Sequence, residues 1–275
     1  MVFYAMATTE DIRGHYVKVN GARTFYDEIG DGHPIVCVHT AGACSLEYTY
    51  LLPLLAEQGF HAYALDLPGH SRSYPVNWKP HRTIHEHAEF VHAFVNTLGL
   101  KRPVIMGCSI GGDITLDYAA HHSREIAAGI PMEGLSRSPT FPSPTGLTHP
   151  SWGPGWQDQL ERAASESLNR NCPAEKRTEL RWQHRGAQVS AVGDLEAWAS
   201  HDVRSLLGKV ECPMLVVCGE DDFWVPRPLV EETVKLLKNA EVSYLKGIGH
   251  YPMFEDPPLI ARLAGDFGRK HSILK

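Results

Sequence analysis

The stretch VIMGCSIGGDITLDY, residues 104–118, decides the fold. It opens as an apolar strand and then crowds Gly107, Gly111 and Gly112 around Ser109, where a helical pattern begins. Glycines at such a junction raise backbone entropy and weaken the helix, so they need a steric reason. Gly107-Cys108-Ser109-Ile110-Gly111 fits G-x-S-x-G, a sharp strand-to-helix turn in which side chains two residues before and after the serine would collide with the neighbouring turn. The turn lifts the serine hydroxyl above the sheet at a helix N-terminus, where developing negative charge is favoured. Neither G-x-G-x-x-G nor a Walker lysine is present, which argues against a phosphate cradle.

Outward from this stretch, short apolar strands alternate with helical segments. Strands are expected at 34–39, 61–67, 103–108, 127–133, 213–219 and 242–247. Helices are expected near 46–59, 83–98, 110–122, 228–238 and 258–270. HYVKVNGARTFYDEIG (15–30) reads as a hairpin about Asn20-Gly21. The alternation implies an α/β protein with a mostly parallel, doubly wound sheet and an antiparallel edge. Residues 135–207 break the rhythm with a Pro/Ser/Thr-rich loop followed by helical segments, and hold four of the six tryptophans. They read as a helical cap inserted at the C-terminal edge of the sheet, between core segments 15–134 and 208–275, with 1–14 as a tail.

Composition sets outer bounds. Of 275 residues, 43% are hydrophobic and 21% charged, as in ordinary globular proteins, and the net charge is −6. An acidic chain is a poor match for nucleic acid or an anionic membrane. The first ten residues lack a secretory-signal pattern, and no apolar run approaches the roughly 18 residues of a membrane span. Cys37, Cys108 and Cys218 lie in strand-like segments without a C-x-x-C pair, so the six cysteines read as free thiols and the location as cytoplasmic. The histidine-rich HRTIHEHAEFVH (81–92) has helical periodicity that turns most of its histidines from the apolar stripe. It lacks H-E-x-x-H, and no metal is expected.

A nucleophilic serine needs a base. His250, in KGIGHYPMFEDP just after the last strand, has the position for it. Further motifs then fall in order: HTAG (39–42), DLPGHSRS (66–73), PMLVVCGEDDFWVP (213–226) and GHYPMFEDP (249–257). With the G-x-S-x-G turn, the chain from about residue 15 onward resembles the α/β-hydrolase superfamily, in particular its serine esterases and lactonases. That resemblance implies a Ser109–His250–acid triad, an oxyanion hole from the backbone N–H groups of Ala41 and Ile110, and no cofactor.

Two departures stand out. Thr40 occupies a position where the family carries glycine, which narrows or reshapes the oxyanion hole. Glu133 ends the strand after the nucleophile helix, an arrangement similar to haloalkane dehalogenases and zearalenone lactonases, which carry their catalytic acid there. Asp222, in an intact G-x-x-D motif, therefore competes with Glu133 to orient His250, and Asp222 is preferred. Serine in place of the aspartate nucleophile of dehalogenases and epoxide hydrolases argues against an alkyl-enzyme. The expected activity is hydrolysis of an ester or lactone of a small, fairly apolar molecule through an acyl-enzyme. Its alternatives are C–C bond hydrolysis of a β-diketone or ring-fission product, perhydrolysis, and a slow-turnover or non-catalytic ligand-binding protein. Thr40, Trp152 and Trp156 are candidate substrate contacts, Trp224 either edges the pocket or packs beneath it, with packing slightly preferred, and Asp221 is read as a solvated turn residue. The oligomeric state is not readable from the sequence.

Overall fold

Asn20 and Gly21 both take positive φ, 47° and 82°, as a two-residue hairpin turn requires. They join β1 (Arg13–Val19) to β2 (Ala22–Ile29) antiparallel, with Val19 opposite Ala22. The first strand thus starts two residues ahead of the expected core boundary. The computed structural model describes residues 8–139, 156–184 and 190–275, the side chains of 156–159 excepted.

The remaining strands are β3 (His33–Val38), β4 (Phe60–Leu65), β5 (Val104–Cys108), β6 (Ala128–Met132), β7 (Met214–Gly219) and β8 (Ala240–Leu245). They form one eight-stranded sheet in the order β1-β2-β4-β3-β5-β6-β7-β8, parallel from β4 onward. The β2–β4 pairing is antiparallel, so the hairpin supplies the antiparallel edge.

Side chains alternate between the two faces with the period of a strand. Ile35, Cys37, Val104, Met106, Leu215 and Val217 point into one layer, built on α1 (Leu51–Glu57) and α10 (Pro257–Lys270). Val36, Val38, Ile105, Met214 and Val216 point into the other, built on α2 (Ile84–Thr97), α3 (Ile110–His122) and α8 (Arg227–Leu236). Burial on both faces explains why these strands read as continuous apolar runs.

Local signals fix the helix ends. Thr83 and Glu86 form a reciprocal capping box at the start of α2, and the Asp256 carboxylate accepts the Leu259 N–H at the start of α10. The expected helix at 46–59 divides into a 3-10 turn, Ser45–Tyr48, and α1. All six cysteines are free. Between β6 and β7 lie α4 (Trp156–Glu166), α5 (Ala174–Gln183), α6 (Ser190–Ala199) and α7 (Arg204–Leu207). A four-residue helix, α9 (Pro252–Glu255), follows β8. Among the described residues no helix is long and apolar enough to cross a membrane.

Candidate active site

Ser109 sits between β5 and α3 with φ 57° and ψ −121°, a backbone state that non-glycine residues avoid and that stores roughly 1–3 kcal/mol. The turn is possible because two neighbours lack Cβ. A Cβ on Gly107 would come 2.1 Å from the Gly111 carbonyl oxygen, and one on Gly111 would come 2.2 Å from the Val38 carbonyl oxygen. The second contact packs the first turn of α3 directly onto β3. Ile110, the first residue of α3, has an amide with no carbonyl one helical turn behind it.

His250 follows β8 and is almost fully buried. Its Nδ1 lies 2.6 Å from Asp222 Oδ2, while Asp222 Oδ1 accepts the Trp224 N–H at 2.7 Å. With Nδ1–H donating to the carboxylate, Nε2 keeps its lone pair. Glu133, just past β6 at φ 49°, accepts the Gly219 N–H at 2.5 Å through Oε1. One donor atom from each of Glu133, Asp222 and His250 lies within 4.8 Å of the others. Burial would raise Asp222, but the charge and hydrogen bond of His250 outweigh it and bring its carboxyl below the usual range. Glu133 goes the opposite way: burial first, then the Asp222 charge, push it well above. The proton therefore resides on Glu133, and Asp222 carries the charge facing His250.

The HTAG loop is held by three buried side chains. Leu67 N–H donates to His39 Nε2 at 3.0 Å, which leaves Nδ1–H to donate to the Thr40 carbonyl at 2.8 Å. Burial brings His39 down to about 3, so the ring is neutral. Glu47, fully buried, accepts the Thr40 N–H at 2.9 Å on one oxygen and the Thr40 hydroxyl at 2.7 Å on the other. The residue standing in the glycine position thus has its own anchor. Burial pushes Glu47 up to about 7 despite those two bonds. The third anchor is Asp194 of α6, which accepts the Gly42 N–H at 2.8 Å and His70 Nε2–H at 2.7 Å. Burial opposes ionisation of Asp194, but His70 and then His87 overcome it and drive its carboxyl far below the usual range. His87 is thereby the buried exception in its histidine-rich segment.

These parts border a mostly apolar cavity of about 190 Å³. Ser109, His250, Glu133, Thr40, Ala41 and Ile110 all border it, and Asp222 stands behind His250. Trp152 lies outside the described residues, and Trp156 is placed only as the first residue of α4. Of its two expected places, Trp224 takes the less favoured one. Its indole N–H donates to Ser167 Oγ at 2.6 Å, which brings the ring onto the cavity wall instead of beneath it. Asp221 is exposed and accepts a bond from the Asn169 side chain.

Sequence reasoning missed several members. Ser167, just past α4, lines the cavity and accepts the His250 backbone N–H at 2.9 Å. Trp198 of α6 forms the adjoining wall, edge-on to Trp224. Asp113, one turn into α3, borders the cavity with its carboxyl raised well above the usual range by burial, and accepts the Leu135 N–H at 2.7 Å. Its spacing from Ser109 was the available signal. Ser167 carried none, and Trp198 carried only its place among the four tryptophans of the insertion.

A family model described as alpha/beta hydrolase family matches residues 35–263. The chain belongs to that family. Among curated alpha/beta hydrolase relatives, the AB hydrolase superfamily protein YisY of Bacillus subtilis is 25% identical over 272 residues, covering 92% of this chain and 98% of its own length. The bifunctional esterase/perhydrolase DCH of Acinetobacter calcoaceticus is 27% identical over 260 residues, 86% of this chain and 92% of that protein. A thermophilic esterase from Thermogutta terrifontis superposes with a TM-score of 0.83 at 18% identity, over 94% of this chain and 99% of that one, a likeness of fold.

Proposed function

We propose that this α/β-hydrolase is a serine hydrolase of the esterase or lactonase type, acting on a small, largely apolar substrate. The observation that carries the reading is the 2.6 Å Asp222–His250 contact behind a cavity that Ser109 borders from a strained elbow. Asp222 fixes the imidazole with Nε2 free, so His250 takes the Ser109 proton as Oγ attacks the acyl carbon. The oxyanion is stabilised by the N–H groups of Ala41 and Ile110, the alcohol departs with the proton from His250, and water activated by the same imidazole releases the acid.

Residues 135–207 act as the cap of this site. α4 and α6 supply Leu160, Ala163, Leu195 and Trp198 to the cavity wall. An apolar cavity of about 190 Å³ favours a compact acyl group over a long or charged one. The test is labelling with a fluorophosphonate, with hydrolysis of p-nitrophenyl acetate, butyrate and decanoate measured alongside. Labelling at Ser109 and turnover of the short esters, both lost in Ser109→Ala, support the reading. Absence of labelling in folded protein would leave a ligand-binding role.

A further inference from the structure

The histidine-rich stretch of α2 has no part in the proposed reaction, yet the fold gives its histidines partners. His85, Glu89 and His92 follow one face of α2 at i, i+4 and i+7. That face packs along the outer side of α3, which brings Asp117, His121 and His122, with Glu125 just beyond its end. Four imidazoles and three carboxylates line one seam. Among the described residues, none of these carboxylates is in an ion pair with lysine or arginine.

Close contacts gather around Glu89, His92 and His122. His122 Nε2 lies 2.8 Å from Glu89 Oε1, and His92 Nε2 lies 3.0 Å from Glu125 Oε2. The rings of His92 and His122 stack with centroids 3.8 Å apart and planes 16° from parallel. One donor atom from each of Glu89, His92 and His122 lies within 4.8 Å of the others. Bonds of about 2.0–2.2 Å to a metal place neighbouring ligand atoms roughly 3 Å apart, so only a small contraction assembles the set. His122 Nδ1, 3.4 Å from Glu125 Oε1, has an outer carboxylate of the sort that orients a ligating imidazole.

We propose that Glu89, His92 and His122 form a binding site for a divalent transition-metal ion of the zinc class, clamping α2 to the C-terminal end of the helix that Ser109 begins. Two imidazoles and a carboxylate suit Zn²⁺, Ni²⁺ or Cu²⁺ better than Mg²⁺ or Ca²⁺. Solvent reaches the site, since Glu89 is nearly half exposed, and water completes the shell. The His85–Asp117–His121 trio, adjoining along the same helices, is a lesser candidate: His121 Nδ1 is engaged with its own helix at the Asp117 carbonyl, 2.9 Å away.

The experiment is calorimetric titration of chelator-stripped, folded protein with Zn²⁺, paired with melting temperature with and without the ion. One ion per chain, a raised melting temperature, and affinity reduced at least about tenfold in Glu89→Gln and in His92→Gln are expected, with His85→Gln close to wild type. Glu89→Gln changes an exposed side chain and keeps the fold, so its effect reads ligation. No saturable uptake by wild type overturns the site, as does uptake that survives both substitutions. Uptake lost only in His85→Gln assigns the ion to the adjoining trio and overturns this choice of ligands.

Discussion

Replacing each of the two buried carboxyls near His250 by its amide separates their roles. In Asp222→Asn, the amide oxygen still accepts the Trp224 N–H, which now comes in at 2.7 Å. That turns the amide NH2 toward His250 Nδ1, now 2.6 Å from the Asp222 carboxylate. Nδ1 must then accept, the ring proton moves to Nε2, and the imidazole can no longer take the Ser109 proton. A triad locked in the wrong tautomer loses roughly 10⁴ in kcat, equivalent to about 5.5 kcal/mol. Glu133→Gln differs, because the Glu133 carboxyl is already neutral. Glutamine keeps its shape, its neutrality and its acceptor for the Gly219 N–H, so kcat/KM should fall by less than about tenfold.

Stability supplies an independent readout. Glu133 has a folded-state pKa above its unfolded value, so its contribution is fully present below the unfolded value and is lost as pH rises toward the folded one. Glutamine does not titrate, so the variant gains on wild type by up to about 1.4 kcal/mol per pH unit above pH ~4.3. The assays are p-nitrophenyl butyrate hydrolysis from pH 5 to 9, the rate of fluorophosphonate labelling, and melting temperature across the same range. A thousandfold loss in Glu133→Gln with Asp222→Asn near wild type would refute the assignment and make Glu133 the acid.

Other substitutions test the HTAG loop. Glu47 rises from 4.5 to about 7 on folding, so its contribution is lost as pH climbs through that interval. Glu47→Gln should therefore gain up to about 3 kcal/mol on wild type between pH 5 and 8 in thermal melts, while losing activity as Thr40 loosens. Asp194→Asn leaves His70 buried without its counter-charge, and denaturant melts should show a loss of roughly 3–5 kcal/mol. Gly111→Ala places a Cβ 2.2 Å from the Val38 carbonyl, so Ser109 labelling should fall in step with near-ultraviolet circular dichroism as the elbow is pushed off β3.

What was legible in the sequence was local or periodic. Strands buried on both faces read as apolar runs, and Asn20-Gly21 announced its turn because both residues must reach positive φ. The elbow was legible because only glycine tolerates approaches near 2 Å at 107 and 111. Long-range polar pairing was not. Gly42 and Asp194 are separated by 152 residues, and Thr40 and His184 by 144. In SAVGDLEAWA, Asp194 looks like any polar helix position, and its partners emerge only when α6 is laid over the loop. The place of Trp224 stayed open for the same reason, since its orientation depends on Ser167 in the insertion.

Those distant pairings give Thr40 a physical reason. A glycine there would offer only its N–H to Glu47, whereas threonine adds a hydroxyl that takes the second carboxylate oxygen. The same hydroxyl lies 3.4 Å from His184 Nε2, which also faces the Tyr251 hydroxyl at 3.2 Å. His184 Nδ1–H is committed to the Leu180 carbonyl at 2.9 Å, and burial brings the ring down to about 4, so Nε2 is an acceptor. Tyr251, which directly follows His250, thus donates to a buried imidazole that belongs to the insertion, while Thr40 gives its proton to Glu47. Gly42, two residues on, is tied to Asp194 of the same insertion. The proposed cap therefore positions both the HTAG loop and the segment bearing His250. A cap-directed change such as His184→Phe, which leaves the Tyr251 hydroxyl without its acceptor, should lower kcat more than it raises KM.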